Sequence, residues 1–172
     1  MSIFFTADPH FGDEAIRRYE QRPFADTREM DEALITRWNA VVSDVDSVYI
    51  LGDLGGQGRE REILSRLNGT KYLVRGNHDT QGNDYYRACG FAEVYDLPVL
   101  FQGFFLLSHE PLYVCRSMPY ANLFGHVHAS PLYRDFSAQH VCVSVERTDY
   151  TPITLEQVRE LIGQAIRAED EN

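Results

Sequence analysis

Asp8-Pro9-His10, Gly52-Asp53, Gly76-Asn77-His78-Asp79, Ser108-His109 and Gly125-His126-Val127-His128 gather five of the six histidines of this chain into short segments rich in Asp, Asn and Gly. Carboxylate and amide oxygens with imidazole nitrogens form a donor set suited to Mn, Fe or Zn, without the thiolates of a structural zinc site. Taken singly, each motif has an ordinary explanation. Asp-x-His and Gly-Asp arise by chance, and Gly-Asn-His-Asp is turn chemistry, because Gly, Asn and Asp favour turns. Their joint occurrence carries the weight: histidines that only solvate a surface or satisfy a core should be scattered, and only His140 falls outside the set. His140 reads as structural or surface. In extended chain, Asp8 with His10, and His126 with His128, each present a pair of side chains to one side. Gly52, Gly76 and Gly125 each precede a candidate ligand, where a crowded centre needs tight turns and close backbone approach.

The elements that position these motifs read as strands ending where the motifs begin. Residues 3–7, 47–51 and 71–74 are short apolar runs rich in β-formers and closed by Asp, Gly or Asn. Between them lie helices. One begins near Asp26, which has capping-box spacing to Glu29, and places Met30, Leu34, Trp38 and Val41 on one face. Another spans residues 59–67, carries Ile63, Leu64 and Leu67, and stops before Asn68 and Gly69. This alternation predicts a parallel sheet built by right-handed crossovers, and parallel sheets bind ligands at the carboxyl ends of their strands. In the second half, residues 91–96, 98–101 and 104–108 predict antiparallel hairpins, the last pair joined by Gln102 and Gly103. Residues 141–145 predict a further strand. A final helix starts at Thr154 with Gln157 as its capping partner, carries Leu155, Val158, Leu161, Ile162 and Ile166, and frays into the tail 169–172.

Length and charge bound the possibilities. A chain of 172 residues fits a single domain over 1–172. A formal net charge of -10 argues against duplex nucleic acid as a partner, whose binding rests on Lys and Arg. A small anionic substrate remains compatible, because bound divalent cations set the local field. Cys89, Cys115 and Cys142 are odd in number and show no Cys-x-x-Cys spacing, so a disulfide framework is not expected and a cytoplasmic location is. Neither a secretory signal pattern nor an apolar run of about 18 residues is present, so no membrane partner is expected.

In this order the motifs from Asp8 to His128 resemble the motif series of the calcineurin-like metallophosphoesterases. Arg22-Pro23-Phe24 and residues 29–39 and 145–153 are similar, less specifically, to small bacterial and phage members of that superfamily. The resemblance implies an α/β fold of α+β type, with two packed mixed β-sheets flanked by helices. It implies a metal-dependent phosphoesterase that hydrolyses a phosphodiester or phosphomonoester, the diester favoured, by attack of a hydroxide bridging a dinuclear centre. Asp8, His10, Asp53 and His128 would surround one metal, and Asp53, Asn77, His109 and His126 the other. The two oxygens of Asp53 would then bridge ions about 3.5–4 Å apart. His78, left without a metal in that scheme, becomes the general acid or a stabiliser of transition-state charge, with Asp79 orienting it. The cofactors implied are two divalent ions, Mn first, with Fe, Zn, Co or Ni as alternatives. The partner implied is a small phosphate ester, nucleotides included; the oligomeric state stays open.

Two other readings share the fold: a protein phosphatase using the same centre, and a catalytically silent protein-binding scaffold, against which the complete ligand set weighs. Arg22, Arg75, Arg116 and Arg147 lie near motif loops as candidate phosphate contacts, although each is more simply a solvated surface arginine. There are two departures from the family pattern. Leu54, Gly55 and Gly56 follow Asp53 where some relatives carry an acidic residue supporting the catalytic histidine, so that support must come from elsewhere. Cys142 stands where small relatives often have Asn, and reads as a small core residue.

Overall fold

Strands β1 (Ile3–Thr6), β2 (Ser47–Ile50), β3 (Thr70–Val74) and β4 (Glu93–Tyr95) lie side by side and parallel, in sequence order, in the computed structural model, which describes residues 1–171. The crossovers are made by α1 (Glu14–Tyr19) with α2 (Thr27–Val41), by α3 (Glu60–Arg66) and by α4 (Asn83–Cys89). Adjacent parallel strands joined by crossovers of one hand put every crossover on the same face of the sheet. Phe4, Val48, Ile50 and Leu73 therefore pack against Met30, Leu34, Trp38 and Ile63 in one core cluster.

The other face receives a second sheet of β5 (Val99–Phe101), β6 (Phe105–Leu107), β7 (Ala121–Phe124) and β8 (His140–Cys142). Phe5, Leu51 and Val74 meet Leu107, Leu123 and Val141 in a second core cluster. Successive residues of one strand thus point into different cores, as Phe4 and Phe5 do, which is why β1 to β3 are continuous apolar runs instead of alternating ones. The short β9 (Ile153–Thr154) pairs antiparallel with β1 at the edge of the first sheet. It leads into α5 (Leu155–Asp170), which opens on the expected Thr154/Gln157 capping box and buries Val158 and Ile162.

Several expectations are corrected. Residues 91–96 do not form a hairpin; β4 continues the parallel sheet, because α4 supplies a crossover that was not anticipated. That helix starts at Gly82 without a side-chain cap and buries only Tyr86 and Cys89, so it leaves no apolar periodicity to read. Of the expected hairpins only β5–β6 forms, with Gln102 and Gly103 both at positive φ; β6–β7 and β7–β8 are parallel pairs joined by residues 108–120 and 125–139. The core face of α2 ends with Val42, while Val41 is exposed. The strand expected over 141–145 stops at Cys142, and Val145–Arg147 make a single tight helical turn. α5 runs through Asp170, so the tail expected at 169–172 is helical at 169 and 170; Asn172 lies outside the described residues. Among the described residues no helix is long and apolar enough to cross a membrane.

Candidate metal centre

The strand exits of both sheets open at one end of the molecule. Asp8 and His10 follow β1, Asp53 follows β2, Asn77 and His78 follow β3, His109 follows β6, and His126 and His128 follow β7. Backbone hydrogen bonds stitch these exits together: Asp8 N–H to Gly52 O at 3.1 Å, His10 N–H to Asp53 O at 3.0 Å and Gly125 N–H to His109 O at 2.9 Å. Asp8, His10, Asp53, His126 and His128 all have left-handed backbone, with φ between 47° and 67°. For residues with a Cβ that conformation costs on the order of 1 kcal/mol or more each, and it persists only where surrounding structure enforces it.

The paired ligands expected from extended chain are not what forms. Asp8 and His10 do converge, but through left-handed turns and together with His128. His126 and His128 part company, because His126 turns instead toward Asn77 and His109.

Asp53 sits between the two groups. Its Oδ2 lies 3.4 Å from His10 Nε2 and 3.4 Å from His109 Nε2, while its Oδ1 accepts the His78 N–H at 2.8 Å. One oxygen faces both sides, where two were expected. On one side Asp8, His10 and His128 each bring a donor atom within 4.8 Å of the others. On the other, Asn77 Oδ1 is 2.8 Å from His109 Nε2 and 3.0 Å from His126 Nδ1, and the two histidine atoms are 3.1 Å apart.

Two observations show that these residues suit cations. His10 Nε2 is buried and has no hydrogen-bond partner. His109 Nδ1 faces the Leu51 carbonyl at 2.9 Å and so carries a proton, and in the neutral ring the Nε2 lone pair then faces Asn77 Oδ1, another acceptor. Acceptors facing one another across such a distance repel unless positive charge lies among them.

The electrostatics agree. Burial pushes the Asp8 carboxyl up from its ordinary value, against the pull of His128 and His109. Its oxygens accept the His126 N–H at 3.0 and 2.9 Å and the Ser144 hydroxyl at 2.5 Å. Burial also acts to raise Asp53, but His10, His109 and the His78 N–H outweigh it and hold the carboxyl below its usual range.

A surrounding layer locks the donors. His128 Nδ1 meets Glu146 Oε1 at 3.1 Å, and Glu146 receives Arg22 at 2.6 Å. Burial alone would lower His128, yet Glu146 and Asp8 hold it above its ordinary value. The Arg22 guanidinium also donates to the carbonyls of Asp8 and Pro9, at 2.7 Å each, so this arginine braces the first turn and is not turned toward a ligand. Glu146 is not among the residues expected from the sequence, although it immediately follows the strand expected at 141–145, at a strand exit like the other donors. Of the other candidate arginines, Arg75 binds Asp79 O and Asp96, Arg116 binds Asp170, and Arg147 binds His128 O.

Asp79 does not orient His78. Its carboxylate accepts the N–H groups of Asp53, Leu54 and Gly76, at 2.8, 3.1 and 2.8 Å, and so clamps the exits of β2 and β3. His78 is exposed, with its ring 5.1 Å from that of His10. Close approach explains two glycines: a Cβ at Gly52 would sit 2.2 Å from His109 Nδ1, and one at Gly76 would sit 2.2 Å from Asp53 Oδ1. Cys142 is half-buried, not simply core; its Sγ lies 3.2 Å from Ser144 Oγ, and burial pushes the thiol up to about 11. His140 is buried away from the centre and accepts the Val114 N–H at 3.3 Å.

A model of the calcineurin-like phosphoesterases matches residues 1–144. An uncharacterised protein of Methanocaldococcus jannaschii is 33% identical, over 96% of this chain and 94% of that protein. The gene 66 protein of Mycobacterium phage L5 is 38% identical over 84 residues, or 45% of this chain and 40% of that protein. Among solved structures, a protein of unknown function from Aquifex aeolicus superposes with a TM-score of 0.71 at 25% identity, covering 93% of this chain and 98% of that one.

Proposed function

The chain belongs to the calcineurin-like phosphoesterases, and from that premise we propose that it is a two-metal phosphodiesterase acting on a small phosphate ester, nucleotides included. Asp8, His10, Asp53 and His128 would hold one divalent ion, and Asp53, Asn77, His109 and His126 a second, with manganese the first choice for such oxygen and imidazole donors. The observation that carries this reading is Asp53 Oδ2, set 3.4 Å from a histidine nitrogen of each group. Such a pair of cations, when bound, supplies charge for the phosphate oxygens and makes water a nucleophile near neutral pH.

Hydrolysis forms one P–O bond from the water oxygen and breaks the P–O bond to the leaving alcohol, whose oxygen departs with the electron pair and needs a proton. His78 is the residue to deliver that proton. Its side chain is exposed beside the donors, and its backbone is fixed by the hydrogen bond to Asp53. Asp79 and Glu146 act through others: the first holds the backbone of Asp53, the second the ring of His128.

The test is hydrolysis of bis(p-nitrophenyl) phosphate and p-nitrophenyl phosphate by metal-stripped protein before and after Mn²⁺ is restored. Turnover is expected only with metal, faster on the diester, and abolished in Asp53→Asn. Absence of turnover from folded protein with Mn²⁺, Fe²⁺, Zn²⁺, Co²⁺ or Ni²⁺ would overturn the proposal.

A further inference from the structure

Beyond Asn77 the centre continues into a cavity of about 220 Å³ whose lining includes Asn77 and His109 but none of Asp8, His10, His78 or His128. The cavity is therefore on one flank. The ring of His78 packs on His10, in the first donor group, whereas the cavity is lined by Asn77 and His109, of the second, and Asp53 Oδ2 lies 3.4 Å from a histidine nitrogen of each group. Val74, Pro98 and Leu112 give it apolar walls, with the exposed Leu97 beside them.

Its charged groups favour one kind of occupant. Arg75, the cation among the lining residues, is committed to Asp79 O at 2.7 Å and to Asp96 at 2.6 Å. With Arg75 matched by Asp96, the exposed Glu110 leaves this wall net acidic, which disfavours a second anion there. Size matters too: a dry cavity of roughly 150 Å³ accepts benzene, so this one takes a six-membered ring with small substituents.

Resting on the phosphoesterase reading above, we infer that this cavity holds the ester substituent that stays on phosphorus, an uncharged ring-sized group, while the leaving oxygen faces His78. A phosphodiester fills both flanks of the centre. A phosphomonoester leaves the cavity unfilled and turns a charged oxygen toward Asp96 and Glu110.

Three substrates with one leaving group test this: bis(p-nitrophenyl) phosphate, methyl p-nitrophenyl phosphate and p-nitrophenyl phosphate retain an aryl group, a methyl group and no group. Leu112→Trp, which fills the cavity, is expected to lower kcat/KM for the bis-aryl diester by about tenfold or more and to spare the methyl diester. Leu97→Trp, at an exposed position that does not endanger folding, should do the same to a smaller degree. Calorimetric titration with diphenylphosphinate should show the matching loss of affinity without turnover. Equal losses on both diesters, or undiminished bis-aryl hydrolysis by both variants, would overturn the assignment while leaving the phosphoesterase reading intact. Failure of the metal-restored wild type on all three substrates would overturn both.

Discussion

Side-chain identity made most of the candidate centre readable, because Asp, His and Asn at strand exits have few other reasons to cluster. What residue type could not reveal was how each carboxylate is used. Asp79 has the composition of a catalytic partner but spends both oxygens on backbone N–H groups, and Asp53 presents one oxygen to both donor groups because the other is taken by His78 N–H. Glu146 matters most among the residues missed. It pairs with Arg22 at side-chain exposures of 5% and 0%, and breaking a buried pair by removing one charge costs about 3–5 kcal/mol. Glu146→Gln is therefore expected to lose about that much in urea unfolding and to weaken metal binding by roughly 10- to 100-fold, since it fixes the His128 ring. A metal titration indistinguishable from wild type would contradict the orienting role.

The elements divide by how they are stabilised. β1 to β3, α2 and α5 were legible because apolar spacing and capping residues announce them, whereas α1 and α4 are single short helices with few or no buried positions. That β4 belongs to the parallel sheet depends on the α4 crossover, and it was illegible for the same reason. Less visible still are the contacts that start the strands. Asp46 accepts the N–H of Ser2 at 2.5 Å and the N–H and hydroxyl of Ser43 at 2.9 and 2.6 Å, tying the chain before β1 to the approach of β2. Those hydrogen bonds, Ser2 first, hold its carboxyl down to about 2. A depressed carboxylate lends stability that is complete above its unfolded value, near 3.9, and that disappears as pH falls through the folded one. Carbon-detected NMR should place the Asp46 midpoint near 2, with Ser2 amide protection declining over the same range; a midpoint near 3.9 would show the tie is absent in solution.

At the scale of the molecule, the parallel half of the fold followed from strand–helix alternation, but the docking of a second sheet was implied by family resemblance and not by any periodicity. The right-handed crossovers leave one face of the first sheet bare, and a 172-residue chain must cover it. Both sheets then deliver their exits to one end, with left-handed backbone at five of the candidate ligand positions. His126 shows what that implies. It is exposed, with φ 67°, so exchanging it for glycine sacrifices little burial and relieves the backbone. In chelator, His126→Gly should unfold at a higher denaturant midpoint than wild type, with an unfolding free energy greater by about 1 kcal/mol. With Mn²⁺ the order should reverse, because the variant forfeits a ligand and the stabilisation that binding confers. A lower midpoint in chelator would contradict this. With the expected rise, the chain holds at one end a conformational tension that drift in sequence could relax at any time, and only selection for the reaction would keep it in place.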